Sequence, residues 1–339
     1  VSGQAIEGMA TPGGQLQEHQ RAPVVALAGG VGGAKLAQGL ALALPAGSLT
    51  VIVNTADDFD LFGLRICPDL DTVLYTLAGL ANPATGWGIA GDTFHTLEAI
   101  ARLGRETWFL LGDQDFATHI VRTERLRQGA TLTEVTRDLA AALGVTAAIL
   151  PMSDDEVATV VETPAGPLAF QDYFVRRRQR DEVRGIAFRG IEHARPNPLA
   201  LSAIAHAELV ILCPSNPLVS IGPILALNGM RDALRATPAP VVAVSPIIGG
   251  RAIKGPADRM LASMGHESSA AGVAALYQDF LDGFVIDVED AGQAERISAM
   301  GPRVLVAQTV MGDAVDRQRL AVEVLAFGRS LRSEPVGVA

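Results

Sequence analysis

The sequence predicts an α/β fold: a Rossmann-like, mostly parallel sheet with helices on both faces and an inserted α+β region. Three observations predict it. Short apolar runs recur along the chain, separated by stretches of helical spacing. The first run, Val24 to Ala28, ends in glycines and leads into a helix-length segment, the opening of a nucleotide-binding unit. Apolar residues make up 49% of the chain but aromatics only 5%. The core must therefore be built of Ala, Val, Leu and Ile, which suits helices packed on a buried parallel sheet.

Taken in order, residues 1–22 are polar and without periodicity, and read as a disordered leader. Order is expected from Pro23. Residues 34–44 keep a helical spacing and stop before Pro45, and 49–53 is the second strand. Helices are expected at 71–80, 92–103, 115–129 and 132–143. Thr131 and Glu134 form a capping-box pattern ahead of the last. A buried strand follows at 147–150. The period then changes to two: 157–163 and 168–170 alternate around Pro164-Ala165-Gly166 like a hairpin, and 183–188 reads as another strand. Residues 152–192 are accordingly expected to be an insertion within one domain spanning 23–335. The buried-strand pattern resumes at 209–213, 241–244, 284–286 and 304–307.

Composition excludes several classes. A net charge of −10 and a pI near 5.1 argue against a general nucleic-acid binder, which would show a basic face. Two cysteines, Cys67 and Cys213, give neither a disulfide framework nor zinc spacing, and the six histidines are scattered. No apolar run reaches the ~18–20 residues of a membrane span, and no charged-then-apolar leader is present. A cytoplasmic protein with small-molecule partners is expected.

The strand ends carry the chemistry. After Val51-Ile52-Val53 come Asn54, Thr55, Asp57, Asp58 and Asp60, and Asp69 and Asp71 open the next helix. Acidic groups bunched beyond a buried strand repel one another, and a hard divalent cation such as Mg²⁺ would relieve that repulsion. The alternative is that Asp57 shapes a turn and Asp69 or Asp71 caps the helix. Gly29-Gly30-Val31-Gly32-Gly33-Ala34-Lys35 matches neither a Walker loop nor the dinucleotide fingerprint. Its glycines can still bring backbone N–H groups up to an anion at a helix N-terminus, with Lys35 one turn in; the alternative is a plain tight turn. Lysine occurs only at Lys35 and Lys254, and both stand in glycine-rich segments. Ser215 and Asn216, set between prolines, offer a hydroxyl and an amide to a neutral heterocycle or sugar. Asp154 and Asp155 read as turn or cap residues, the Arg176-Arg177-Arg178 run as a solvated face or a lid. Trp87 and Trp108 suit either core packing or ring stacking. Spacing supports no Ser-His-Asp or Cys-His arrangement. Glycine turns, clustered carboxylates and two lysines suit a reaction at phosphate, where positioning and charge neutralisation supply most of the catalysis.

The segments GGVGGAK, VNTADD, CPDLDTVLY, GWGI with GDTF, LGDQDFATH, PMSDD, PSNP followed by SIGPIL, and SPIIGG with KGPA occur in order. Together, from about Val24 to Asp287, they resemble the 2-phospho-L-lactate transferase family (CofD in archaea, FbiA in actinobacteria) of coenzyme F-420 biosynthesis. The resemblance implies a Rossmann-like homodimer that uses Mg²⁺. It implies transfer of a phospho-three-carbon acid (phospholactate, phosphoenolpyruvate or phosphoglycerate) from its guanosine diphosphate ester to the deazaflavin alcohol Fo, with release of GMP. Asp71 matches the family's Fo-contacting aspartate, whereas Leu110 stands where some archaeal members carry arginine. Within 339 residues no glutamyl-ligase extension is expected. On this reading Gly30, Gly32, Gly33 and Lys35 hold the diphosphate, with Asn54 and Thr55 beside them. Asp57, Asp58 and Asp71 place Mg²⁺ or the ribityl hydroxyl, with Asp71 the first choice of base. Ser215 and Asn216 face the guanosine, and Lys254 the leaving phosphate. Two other readings compete: a regulator that binds a nucleotide-sugar or dinucleotide, resembling the gluconeogenesis factors, and a nicotinamide-dependent oxidoreductase using Asp57 or Asp58 on the ribose.

Overall fold

A computed structural model describes residues 23–332, so the expected leader at 1–22 lies outside the described residues. Seven strands form the main sheet: β1 (Val24–Ala28), β2 (Leu49–Val53), β3 (Ala148–Pro151), β4 (Leu209–Leu212), β5 (Val241–Val244), β6 (Gly283–Asp287) and β7 (Arg303–Ala307). Their spatial order is β7-β6-β5-β4-β1-β2-β3 and every neighbouring pair runs parallel. This is the Rossmann order 3-2-1-4-5-6 with one strand added, as expected from the sequence. Crossovers leave β1 and β4 in opposite directions, which opens a crevice beyond their carboxyl ends.

Side chains alternate across the sheet. Val25, Leu27 and Ile52 enter one core, while Val24, Ala26, Ala28, Val51 and Val53 enter the other. The helices α1 (Gly30–Ala43) and α2 (Pro68–Leu77) and the C-terminal helix Ala314–Leu331 contribute to the second core. A strand with five buried residues in a row has no solvent face, so helices must cover both sides. Among the described residues no helix is long and apolar enough to cross a membrane.

The element starts differ from expectation in ways that matter for function. Helix α1 begins at Gly30, not at residue 34, so the glycines form its first turn. Helix α2 begins at Pro68, where the missing N–H costs nothing, and this puts Asp69 and Asp71 in its positive first turn. Helix α3 is only His95–Arg102. Asp92, expected to open it, instead accepts the backbone N–H groups of Gln114 and Asp115 at the start of α4 (Asp113–Arg127). Helix α5 (Leu132–Ala142) carries the expected Thr131–Glu134 capping box. Asp154 accepts from the backbone and hydroxyl of Thr133 there, and Asp155 accepts from the Arg195 N–H. Both act in caps and turns.

Between β3 and β4 the strands Gly166–Ala169, Ala158–Thr163 and Gly185–Arg189 form a small antiparallel sheet. Thr159 N–H donates to the Ala56 carbonyl at 2.7 Å, which pins that sheet to the end of β2. Val161, Phe170, Tyr173 and Val183 bury against Val219 and Met260 of the main body.

Candidate active site

The crevice between β1 and β4 is a cavity of about 880 Å³, near the upper end of ligand-pocket sizes. Its floor is the turn after β1. Gly30, at φ +61°, takes a left-handed conformation that a side chain would strain. A Cβ on Gly32 would collide with the Pro214 carbonyl. Ser215 Oγ closes the seam, accepting from Gly29 N–H at 3.2 Å and donating to the Gly29 carbonyl at 2.8 Å. The turn and the β4 loop are thus in backbone contact, and only glycine permits it.

Carboxylates stand against this turn. Asp69 accepts from Gly30 N–H at 2.8 Å and from the Asn54 amide at 2.9 Å, so Asn54 serves to orient Asp69. Asp57 lines the same cavity, and its buried Oδ1 has no hydrogen-bond partner. Burial pushes the Asp57 carboxyl well above its usual range, and the charge of Asp69 adds to the effect. Burial raises Asp69 as well.

Asp58 does not line the cavity. Burial moves its carboxyl from 3.8 to about 7, although the positive charge of Arg65 opposes the shift. A raised carboxyl favours the folded state at low pH, and that contribution is lost as pH rises from about 4 to 7. Asp58→Asn should therefore gain stability over the parent by roughly 2–3 kcal/mol between pH 5 and pH 8. Urea unfolding of both chains at the two pH values measures it; an equal difference at both would refute the shift.

Asp71 and Tyr75, one turn apart on α2, face Asp115, His119 and Arg122 on α4, and all five are buried. Arg122 grips both Asp71 oxygens, at 3.0 Å to Oδ2 and through a short contact to Oδ1. Burial works against the Arg122 charge, but Asp71 holds its pKa above the ordinary value. Tyr75 donates to Asp115 at 2.7 Å. Burial lifts Asp115 to about 7, helped by the Asp71 charge, and lowers His119 to about 4.

The two lysines clip loops at the rim. Lys35 Nζ donates to the Met311 carbonyl at 2.6 Å, and Lys254 Nζ to the Thr85 carbonyl at 3.0 Å. Burial, then Arg317 and Lys254, lower the Lys35 pKa, which marks a positive pole. Aromatic rings supply the remaining wall. Trp108 stacks on Phe59 at 5.9 Å, Phe170 on Phe174 at 5.3 Å, and Trp87 is 43% exposed. Arg176 and Arg178 also line the cavity, with Arg176 tied to Glu106 at 2.6 Å.

Comparison with known proteins fits this geometry. The profile of the family described as 2-phospho-L-lactate transferase CofD matches residues 24–326. The chain belongs to that family. It is a transferase. It is 45% identical over 316 residues to a phosphoenolpyruvate transferase of Streptomyces griseus, covering 91% of this chain and 99% of the relative. It is 44% identical over 305 residues to a 2-phospho-L-lactate transferase of Methanosarcina mazei, covering 90% and 100%. A solved UPF0052 family member from Bacillus halodurans shares the fold, with a TM-score of 0.61 at 16% identity, covering 90% of this chain and 99% of that one.

Of the residues expected to serve the family's chemistry, Gly30, Gly32, Lys35, Asp57, Asp71, Ser215, Asn216 and Lys254 line the cavity. Gly33 does not; it packs the turn against Ser215 and Ala28. Asn54 and Thr55 stand behind the wall, and Asn216 spends its carbonyl on the Leu218 N–H. The expected trio of Asp57, Asp58 and Asp71 is not gathered. No group of three acidic, histidine or cysteine side chains among the described residues is placed to hold a metal. Asp58 does not line the cavity, and Arg122 holds both Asp71 oxygens. Asp57, with an orphaned oxygen, and Asp69 are both buried and line the cavity beside the glycine turn, and they are the carboxylates that would hold an implied Mg²⁺. Mg²⁺ commonly takes one or two carboxylates and completes its shell with water and substrate phosphate.

Sequence reasoning missed Asp115, His119 and Arg122. Their spacing in DQDFATHIVR puts all three on one helix face, opposite the i, i+4 pair Asp71 and Tyr75. That pairing of two helices was the available signal.

Proposed function

We propose that this chain transfers a phospho-three-carbon acid from its guanosine diphosphate ester to the deazaflavin alcohol Fo, releasing GMP and forming coenzyme F-420-0 or its analogue. The observation that carries the proposal is the glycine turn of β1 lying in one cavity with Asp57, Asp69, Asp71 and both lysines, in a member of this family. The aromatic wall suits a flat tricyclic ring. The phosphoenolpyruvate and phospholactate relatives stand at nearly equal identity, so similarity supports the class of donor acid and not one member of it.

The chain's own groups divide the work. The glycine turn and the rim lysines bind the diphosphate. Asp71, held by Arg122, keeps a second lone pair on each oxygen for the acceptor hydroxyl. As the new P–O bond forms and the bond to GMP breaks, Asp71 takes the hydroxyl proton. Asp57 and Asp69 would hold Mg²⁺, whose charge when bound neutralises the phosphoryl oxygens. Function in a homodimer is part of the same proposal.

The test is incubation with Fo, Mg²⁺ and each of the three guanylated acids in competition, read by mass spectrometry. One donor should give a mass gain on Fo with one GMP per transfer, and EDTA should reduce the rate by at least about 100-fold, the scale expected when charge neutralisation at phosphate is lost. Turnover of none of the three would refute the proposal. Tight binding of a UDP-sugar or nicotinamide dinucleotide without transfer would favour the regulator or oxidoreductase reading.

A further inference from the structure

We infer that His119 Nε2–H and the Asp115 carboxyl form a recognition pair for the adjacent N–H and C=O groups of a neutral heterocycle, the ring of the transfer acceptor. The inference rests on the transferase reading above and adds two specificity-determining residues to it.

The proton on His119 can be placed by elimination. Arg122 NH1 lies 3.1 Å from His119 Nδ1. A guanidinium only donates, so Nδ1 must be the accepting nitrogen and the proton sits on Nε2. Burial holds the ring neutral, with its pKa near 4. Nε2–H is therefore a fixed donor. It is buried, and it has no hydrogen-bond partner among the described residues. Asp115 Oδ1 stands 3.8 Å away, too far for a good hydrogen bond. Of the buried polar atoms left without partners, only those of Asp57 and His119 belong to cavity-lining residues. Asp57 already has a use beside the glycine turn. A donor so placed is costly to leave unmade, and an acceptor atom on a ligand satisfies it.

Asp115 completes the edge. It sits one helical turn before His119 on α4, lines the cavity, and is fixed by the Tyr75 hydroxyl at 2.7 Å. Its carboxyl can accept from a ring N–H while Nε2–H donates to the neighbouring ring carbonyl. Lactam and imide edges present that pattern. Guanine and a deazaflavin both carry one, so the chemistry alone admits either. Placement favours the acceptor: His119 Nδ1 lies 3.7 Å from Asp71, which is proposed to meet the acceptor hydroxyl. The glycine turn contacts Asp69 and Ser215 instead.

The experiment titrates Fo, by its fluorescence, and GDP, by calorimetry, against the full chain and two variants. His119→Asn keeps an acceptor beside Arg122 and removes the Nε2 donor; His119→Gln restores an N–H near the Nε2 position. Fo should bind about tenfold more weakly to His119→Asn and recover to within about threefold in His119→Gln, with GDP unchanged in both. Fo methylated at the imide nitrogen should lose a similar factor against the unaltered chain, a measurement that needs no variant to fold. Unchanged Fo affinity in His119→Asn, equal affinity for Fo and its methylated form, or a loss confined to GDP would each overturn the inference. Should the parent transfer to Fo while His119→Asn is unaffected, only this inference fails. Should the parent bind GDP and never Fo, the transferase reading fails with it.

Discussion

Arg122→Met should destabilise the chain by about 3–5 kcal/mol, the usual cost of stripping the partner from a buried charge. Arg122 is 1% exposed and Asp71 5% exposed, and the guanidinium holds both carboxylate oxygens. Methionine keeps much of the volume, so the loss reflects the abandoned carboxylate more than a void. The double variant Asp71→Asn with Arg122→Met should lose about 1–3 kcal/mol less than the sum of the single losses, because the two groups share one interaction. Chemical denaturation of the four chains of the cycle measures this. Strict additivity would mean that the contact contributes nothing to stability. Asp71→Asn alone should also lower transfer far more than it lowers Fo affinity; full turnover in that variant would remove Asp71 from its proposed place.

Gly32→Ala should reduce transfer by about 100-fold or more and destabilise the chain by about 1–3 kcal/mol, the usual cost of overpacking a tight contact. The new methyl has no room against the Pro214 carbonyl, so the β1 turn must separate from the β4 loop. A shift of about 1 Å at a reacting group costs on the order of 100-fold in rate. The Ser215 hydroxyl, now bridging Gly29 at 2.8 and 3.2 Å, would lose one or both bonds. Steady-state rates beside a denaturation curve check it. Normal rates would show that the close approach is incidental.

Much of the fold was legible because it rests on local patterns. Val24 to Ala28 and Leu49 to Val53 are apolar throughout, and such runs between helical stretches have few alternatives to a parallel sheet. Helix starts were less legible where the decisive group lies far along the chain. Asp92 leaves the α3 start to serve residues 114 and 115. The site divides in the same way. The glycine turn and Ser215 announce themselves by residue type. The neighbours of each aspartate do not: Asp57, Asp58 and Asp71 look equivalent in sequence. The fold gives one an orphaned oxygen in the cavity, sends the next behind the wall, and hands the third to an arginine 51 positions away. Carboxylate identity is a local property, and its partner is not.

The bond between Gly29 and Ser215 spans 186 positions, and Lys35 reaches Met311 across 276. A ribosome extruding this chain therefore releases the glycine turn after β1 long before the segments that complete it. Until the last strands emerge, the nascent polypeptide has a half-built pocket that cannot be stabilised by its own substrates, and its early glycines wait on contacts from far along the chain.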